Sequence, residues 1–378
     1  MGRHVSRHIK ITIIGAGNAG CLTALHFGYY ASRIDKQVLD ITVELIHDPS
    51  KRPEKVGQGT TLPVAQLLWE SLGVNWYDNS IDATPKLGIL YEGWGKKQDK
   101  IFHPFPLHST ALHCSPNKLQ GMILKSGYFN IIEGCVDSYD GIDSDYIFDC
   151  RGKPSGLIGY KELTNPVNSV ILAQKNERDM SQNWTRSVAT PDGWCFVIPN
   201  TAKTTSYGYL YDHQITSEIE AKVNFENQFD VEAAEQFSFN QYVVDQPIID
   251  DRIFLNGNAL FFLEPLEATA LGVYNAWNRM VWDHIINGSK TSREITTEIH
   301  EHVEEINNFI TWHYMYGSKY DTPFWKAAEK LDFKDAAFDD YLRQSIALPD
   351  WERTSEVIPH YGQWQPQSFT SWHNGVTL

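Results

Sequence analysis

Three glycines, Gly15, Gly17 and Gly20, stand in the spacing G-x-G-x-x-G, with Asn18 and Ala19 between the second and third. That spacing suits the cradling of a pyrophosphate. The first glycine permits a tight turn, the second lets backbone approach the anion, and the third allows a helix to pack closely on a strand. The chemistry needs a strand entering the turn and a helix leaving it, because the helix N-terminus supplies unpaired N–H groups and partial positive charge. Residues 9–14 are a β-branched run entering the turn, residues 21–30 read as a helix, and residues 41–46 as a second strand. This is a βαβ unit. A dinucleotide ribose calls for a polar partner near the end of the second strand. Glu44 lies inside that strand and His47 and Asp48 end it, and the three stay open as alternatives.

Two later turns point to FAD rather than a nicotinamide. Asp149-Cys150-Arg151-Gly152 follows the apolar run 146–148, and Gly257-Asn258-Ala259 follows Phe254-Leu255-Asn256 and leads toward a helix. Turns of this kind reach the ribityl and pyrophosphate groups of a flavin dinucleotide. Two further stretches carry reactive or bulky groups without a clear period of 2 or 3.6: Gly193-Trp-Cys-Phe-Val-Ile-Pro199 and Glu264-Pro-Leu-Glu-Ala-Thr-Ala270. Both read as loops built around a bound molecule.

The elements that must position these groups come next. Residues 60–74 read as an amphipathic helix with Pro63 near its start. Residues 86–92, 101–102, 128–133 and 145–149 read as strands, and 165–215 as an antiparallel sheet. Residues 217–237 and 292–311 read as helices, and the Pro-, Trp- and Ser-rich tail after Leu348 as a surface wrap. The fold class is α/β: a Rossmann-like FAD-binding fold with an interleaved antiparallel substrate sheet. The FAD unit spans 1–290, the sheet is inserted at about 85–110 and 160–240, and a C-terminal helical cap spans 291–378. At 378 residues, 42% hydrophobic and 21% charged, the chain has the makeup of a globular protein with ample core. A formal charge of −15 argues against nucleic acid or an anionic membrane as partner. Five scattered cysteines with no CxxC pair suggest neither a disulfide framework nor a zinc site. With no long apolar leader and no run of eighteen apolar residues, a cytoplasmic protein without a membrane span is expected.

In this order the motifs resemble the flavin-dependent halogenases of the tryptophan-halogenase type, over about residues 9–326. The G-x-G-x-x-G turn is followed by Val56-Gly57-Gln58-Gly59-Thr60-Thr61-Leu62-Pro63, where the family has VGEAT followed by a proline. Lys86-Leu-Gly-Ile-Leu-Tyr-Glu-Gly-Trp94 is similar to the segment bearing the family's lysine. The 193–199 stretch is similar to its WxWxIP signature, and Gly257-Asn258-Ala259 with 262–270 to its flavin and halide loop. Phe309-Ile-Thr-Trp-His313-Tyr314 and Asp321-Thr-Pro-Phe-Trp325 are similar to its C-terminal helical motif.

The resemblance implies a chemistry. FAD, delivered as FADH2 by a separate reductase, activates O2, a halide ion is oxidised to hypohalous acid, and an electron-rich aromatic ring is halogenated. Lys86 would hold the hypohalous acid or carry the halogen, since an ammonium is a compact donor whose pKa responds to burial. Glu267 would steady the cationic ring and take its proton; Glu264 competes for that role, and Glu267 is favoured by its aligned position. Gly57, Gln58, Gly257, Asn258 and Leu266 would join the glycine turn around FAD. Thr269 and Ala270 would bind halide through backbone N–H groups. Trp194, Phe196, Ile198 and Pro199 would form a wall that keeps the flavin from oxygenating the substrate. His313 and Tyr314 read as packing residues.

Two departures matter. Gln58 replaces the family's glutamate, and Phe196 replaces its second tryptophan, keeping bulk but losing an indole N–H. The C-terminal region is shorter than in tryptophan halogenases, which suggests a more open site, broader tolerance of aromatic rings and room for bromide or iodide. The alternatives are a flavin-dependent aromatic monooxygenase and a catalytically inactive FAD-binding protein. A symmetric homo-oligomer fits as well as a monomer.

Overall fold

A computed structural model describes residues 7–51, 53, 56–106, 109–153, 159–178, 182–201, 203–353 and 358–377. Its organising strand is Arg7–Ile14, whose Ile9, Ile11 and Ile13 are buried. It pairs in parallel with Leu39–His47 on one side and Tyr146–Asp149 on the other. Asn130–Glu133 extends this sheet at one edge, and Ile253–Leu255 with Ile248–Ile249 at the other, giving six strands. The helix Asn18–Ala31 buries every residue from Ala19 to Tyr29. A helix apolar all round must be covered on all sides, and the helix Ala270–Ile285 supplies part of that cover. Asn256 ties the two helices to the sheet: its amide donates to Thr23 Oγ1 and Asn278 Oδ1, each at 3.0 Å. The same side chain accepts from Gly257 N at 2.7 Å, which fixes the third glycine turn.

The second sheet has seven strands in the order Glu235–Ser238, Ser169–Lys175, Thr204–Tyr211, Gly193–Thr201, Thr185–Thr190, Gly88–Glu92 and Lys100–Pro104. All neighbours are antiparallel except Thr185–Thr190 with Gly88–Glu92. Here the expected loop at 193–199 is overturned, since all nine residues of Gly193–Thr201 are buried strand. Trp194, Phe196 and Ile198 face the main core, while Cys195 and Val197 face a smaller one with Phe225 of the helix Glu218–Phe229. A strand covered on both faces has no polar alternation to betray it. The helix expected over 217–237 stops at Phe229, where Asp230 turns left-handed at φ 51°, and 235–238 pairs with 169–172 at the sheet edge.

A three-stranded sheet of Gln58–Gly59, Ala111–Cys114 and Thr84–Lys86 does the main positioning work. Gly59 and Thr84 both pair with His113, and Lys86 with Ala111. The long helix Ser292–Met315 opens on a capping box between Thr291 and Glu294. The tail expected to wrap the surface instead folds inward: Pro366–Thr377 is a helix, and Trp364, Phe369 and Trp372 are buried. No helix among the described residues is long and apolar enough to cross a membrane.

Candidate active site

A cavity of about 590 Å³ runs along the ends of the parallel strands, the usual ligand position in open α/β sheets. Gly15, Gly17, Asn18 and Ala19 line it, as do His47, Asp48, Gly57, Gln58, Gly257 and Asn258. The residues fit a dinucleotide. A side chain built at Gly17 would meet no atom within 4 Å, so the backbone there is open to close approach. No side chain caps the N-terminus of the helix Asn18–Ala31 and no acid lies in its first turn, which leaves its N–H groups for an anion. Gly20 does not line the cavity; a Cβ there would fall against the Gly15 carbonyl, so its role is to let helix and turn close. Of the three ribose candidates, His47 and Asp48 line the cavity, whereas Glu44 is turned to an ion pair with Lys10 at 3.1 Å. Leu266 is fully buried beside the cavity-lining Pro265.

Lys86 ends the strand Thr84–Lys86 and is 0% exposed. Its Nζ donates to the Thr60 carbonyl at 3.4 Å and lies 5.3 Å from the Phe105 ring centre. Burial lowers its pKa from 10.5 to about 8, and the Glu267 carboxylate pulls it back up. Gly59 is the partition between Lys86 and the cavity. It lines the cavity, and a Cβ there would stand 3.2 Å from Lys86 Nζ and 3.3 Å from Ala268 Cβ.

Glu267 sits at φ 67° and Ala268 at φ 56°, two consecutive left-handed non-glycine residues separated by Thr269 from the helix Ala270–Ile285. Such backbone persists only where the surroundings over-determine it. Here the side chain does so. Tyr91 Oη donates to Glu267 Oε1, His103 Nδ1 lies 3.1 Å from the same oxygen, and Trp364 Nε1 donates to Oε2 at 3.0 Å. His313 Nε2 is 3.8 Å from Oε1. Burial pushes the Glu267 carboxyl up, but His103, His313 and Tyr91 outweigh it and hold it down to about 2. Glu264 behaves oppositely: burial pushes it up to about 7, against donation from Asn165, Tyr314 and Trp194. Trp194 Nε1 donates to Glu264 at 2.8 Å and Tyr314 Oη at 2.7 Å. His313 and Tyr314 thus contact the two acids, which their reading as packing residues did not anticipate.

Phe196 and Ile198 line the cavity; Trp194 stands behind them, its ring 6.2 Å from that of Phe196, and the Pro199 carbonyl accepts from Thr84 at 2.6 Å. Thr269 and Ala270 also line the cavity, at a helix N-terminus without a side-chain cap. The site is closed rather than open. Lys86 is fully buried, and the segment 358–377 packs its aromatic rings against the Glu267 side. Sequence reasoning missed Gly59, Tyr91, His103 and Trp364. Tyr91 and Gly59 lie within segments already singled out, but His103 and Trp364 carry no local signal and reach Glu267 only through the fold.

The family model for tryptophan halogenase matches residues 10–124 and 134–363. The chain belongs to the tryptophan halogenase family. Among curated relatives it is 24% identical over 257 residues to tryptophan 6-halogenase ThaL of Streptomyces albogriseolus, covering 62% of this chain and 47% of that protein. It is 26% identical over 256 residues to tryptophan 7-halogenase KtzQ of Kutzneria sp. (strain 744), covering 61% and 46%. These matches span about half the length of those relatives. Among solved structures, BrvH, a flavin-dependent halogenase from Brevundimonas sp. BAL3, superposes with a TM-score of 0.79 at 17% identity, over 98% of this chain and 90% of that one. At that identity the likeness speaks for a shared fold.

Proposed function

We propose that this protein is a two-component flavin-dependent halogenase, taking FADH2 from a separate reductase and acting on an electron-rich, indole- or phenol-like ring. The observation that carries the reading is the placement of Lys86: a buried ammonium coupled to Glu267 and parted from the cavity by Gly59 and Ala268. Reduced FAD supplies the activation of O2 that oxidises halide to hypohalous acid. Gly15, Gly17, Asn18, Ala19, His47, Gly57, Gln58, Gly257 and Asn258 would hold the cofactor, and the N–H groups at Thr269 and Ala270 the halide.

The chain's own groups do the rest. Phe196 and Ile198, backed by Trp194, exclude the organic substrate from the cofactor. A small neutral oxidant passes between Gly59 and Ala268, where no larger side chain stands. Lys86 donates a hydrogen bond to it as ammonium, or as amine takes the halogen from it, the O–halogen bond breaking and the hydroxyl leaving as water with an amine proton. Glu267, kept ionised by its donors, offsets the positive charge that develops on the ring and accepts its proton at a carboxylate oxygen. Bromide and iodide are expected to be favoured over chloride, because chloride is the hardest to oxidise.

The test is incubation with FAD, a flavin reductase, NADH, an aromatic panel and each halide separately, beside Lys86→Ala and catalase controls. Halogen incorporation lost in Lys86→Ala supports the reading. A gain of one oxygen, or no turnover despite bound FAD, transfers it to the monooxygenase or the inactive flavoprotein.

A further inference from the structure

Glu267 is served by three donors of different standing. Tyr91 and His103 stand on adjacent strands of the seven-stranded sheet, Gly88–Glu92 and Lys100–Pro104. Trp364 stands on a tight turn. Tyr361 and Trp364 exchange backbone hydrogen bonds at 3.2 and 3.0 Å, and Gly362 between them sits at φ 56°. A Cβ at Gly362 would come 3.1 Å from the Trp364 ring, so the glycine lets the indole fold back over its own turn. The turn's backbone and flanking side chains are well moored, by Gln363 Nε2 to the Thr269 carbonyl at 3.1 Å, Gly362 N to Glu305 at 2.8 Å, Tyr361 Oη to Asp335 at 2.6 Å and Tyr341 Oη to the Trp364 carbonyl at 3.2 Å, so what could be displaced is the indole side chain and not the turn.

The indole itself lies flat on Phe309, ring centres 3.9 Å apart and planes 21° apart, with its N–H on Glu267 Oε2. Lys86 and Glu267 are buried and neither lines the cavity, so an aromatic substrate reaches them only after something moves. A planar ring stacked on Phe309 and hydrogen-bonded to the proton-accepting carboxylate is what a bound aromatic substrate would look like. Here the chain provides it.

Resting on the halogenase reading of Lys86 and Glu267, we propose that Trp364 is a displaceable internal occupant of the aromatic subsite, and that substrate binds by replacing it on Phe309 and Glu267. The replacement selects for ring N–H compounds of the indole and pyrrole class. A ligand without that hydrogen would leave a buried carboxylate oxygen short of a donor, and such sites discriminate strongly.

The proposal is tested without turnover, on FAD-loaded protein with no reductant. Trp364 Nε1–H is assigned by its absence from the nitrogen-15 spectrum of Trp364→Phe, and indole is titrated. The expected result is that this resonance moves on saturation while the other indole resonances largely hold. Titration calorimetry should give one site per chain in both wild type and Trp364→Ala, at least about tenfold tighter in the variant, with benzofuran about tenfold weaker than indole in wild type. An unmoved Trp364 resonance at saturating indole would overturn the proposal, as would a second site in Trp364→Ala beside an unchanged first one. Trp364→Phe that still binds FAD shows that the fold survives. Failure of halogen incorporation with the resonance still displaced refutes the activity and not the occupant; halogenation with an unmoved resonance refutes the occupant alone.

Discussion

Lys86 should cost this protein stability, and the cost should depend on pH in a defined direction. Burial lowers the lysine from 10.5 to about 8. At about 1.36 kcal/mol per pH unit, that gap amounts to about 3 kcal/mol. Between the two values the unfolded chain binds the proton that the folded chain has released, so stability rises with pH across that window and the penalty is complete below pH 8. Lys86→Met keeps length and apolar volume and removes the buried charge. Losing the Thr60 contact takes back about 1 kcal/mol, which leaves an expected gain of about 2 kcal/mol at pH 7. Glu267 is not stranded by the change, because Tyr91 and Trp364 still donate to its carboxylate and His103 Nδ1 still lies 3.1 Å from it. Urea unfolding of the cofactor-free protein at pH 7 and pH 10 measures this. The variant's midpoint should lie above wild type at pH 7, and the margin should shrink to near nothing by pH 10. A loss of stability at pH 7, or a gain that ignores pH, would refute the claim that a buried ammonium only partly offset by Glu267 and the Thr60 carbonyl stands at this position. The same variant should be inactive, so the group that serves the chemistry would be the one the fold tolerates at a cost.

The other predictions concern passage, proton state and cofactor. If Lys86 works as an ammonium donor, halogenation should fall as pH rises through about 8; if it carries halogen as an amine, it should rise. Glu267→Gln removes the charge that raises Lys86, so the residual inflection should move to lower pH in either case. Gly59→Val should leave flavin oxidation running but cut ring halogenation by about tenfold or more, with hypohalous acid trapped in solution by a scavenger dye, because branches at that Cβ enter the space between Lys86 and Ala268. Unchanged coupling would mean the oxidant takes another route. Gly17→Ala should fold normally and weaken FAD in a fluorescence titration, whereas Gly20→Ala should fail to fold, since one Cβ meets open space and the other the Gly15 carbonyl.

The βαβ unit was legible because its determinants are local: a β-branched run, three glycines at fixed spacing and an apolar helix, each constrained by neighbours in sequence. The strand Gly193–Thr201 was not, because burial on both faces erases the alternation that marks a strand, and only its partners on either side make it one. The tail was misread for a related reason. Its composition of Pro, Trp and Ser suits an exposed wrap, and nothing local shows that Phe309 and Glu267 wait to receive Trp364.

The sequence by itself determined the dinucleotide turn and the order of the family motifs, and it marked Lys86 and Glu267 as candidates. Tertiary structure alone decided that Lys86 meets Gly59 across the partner strand Ala111–Cys114, that Glu267 draws donors from positions 91, 103 and 364, and that the site is closed. The physical reason is separation along the chain. A motif records what a residue needs from its immediate neighbours, whereas a buried charge is set by whatever the fold packs around it, and Tyr91, which donates to Glu267, lies 176 residues away from it.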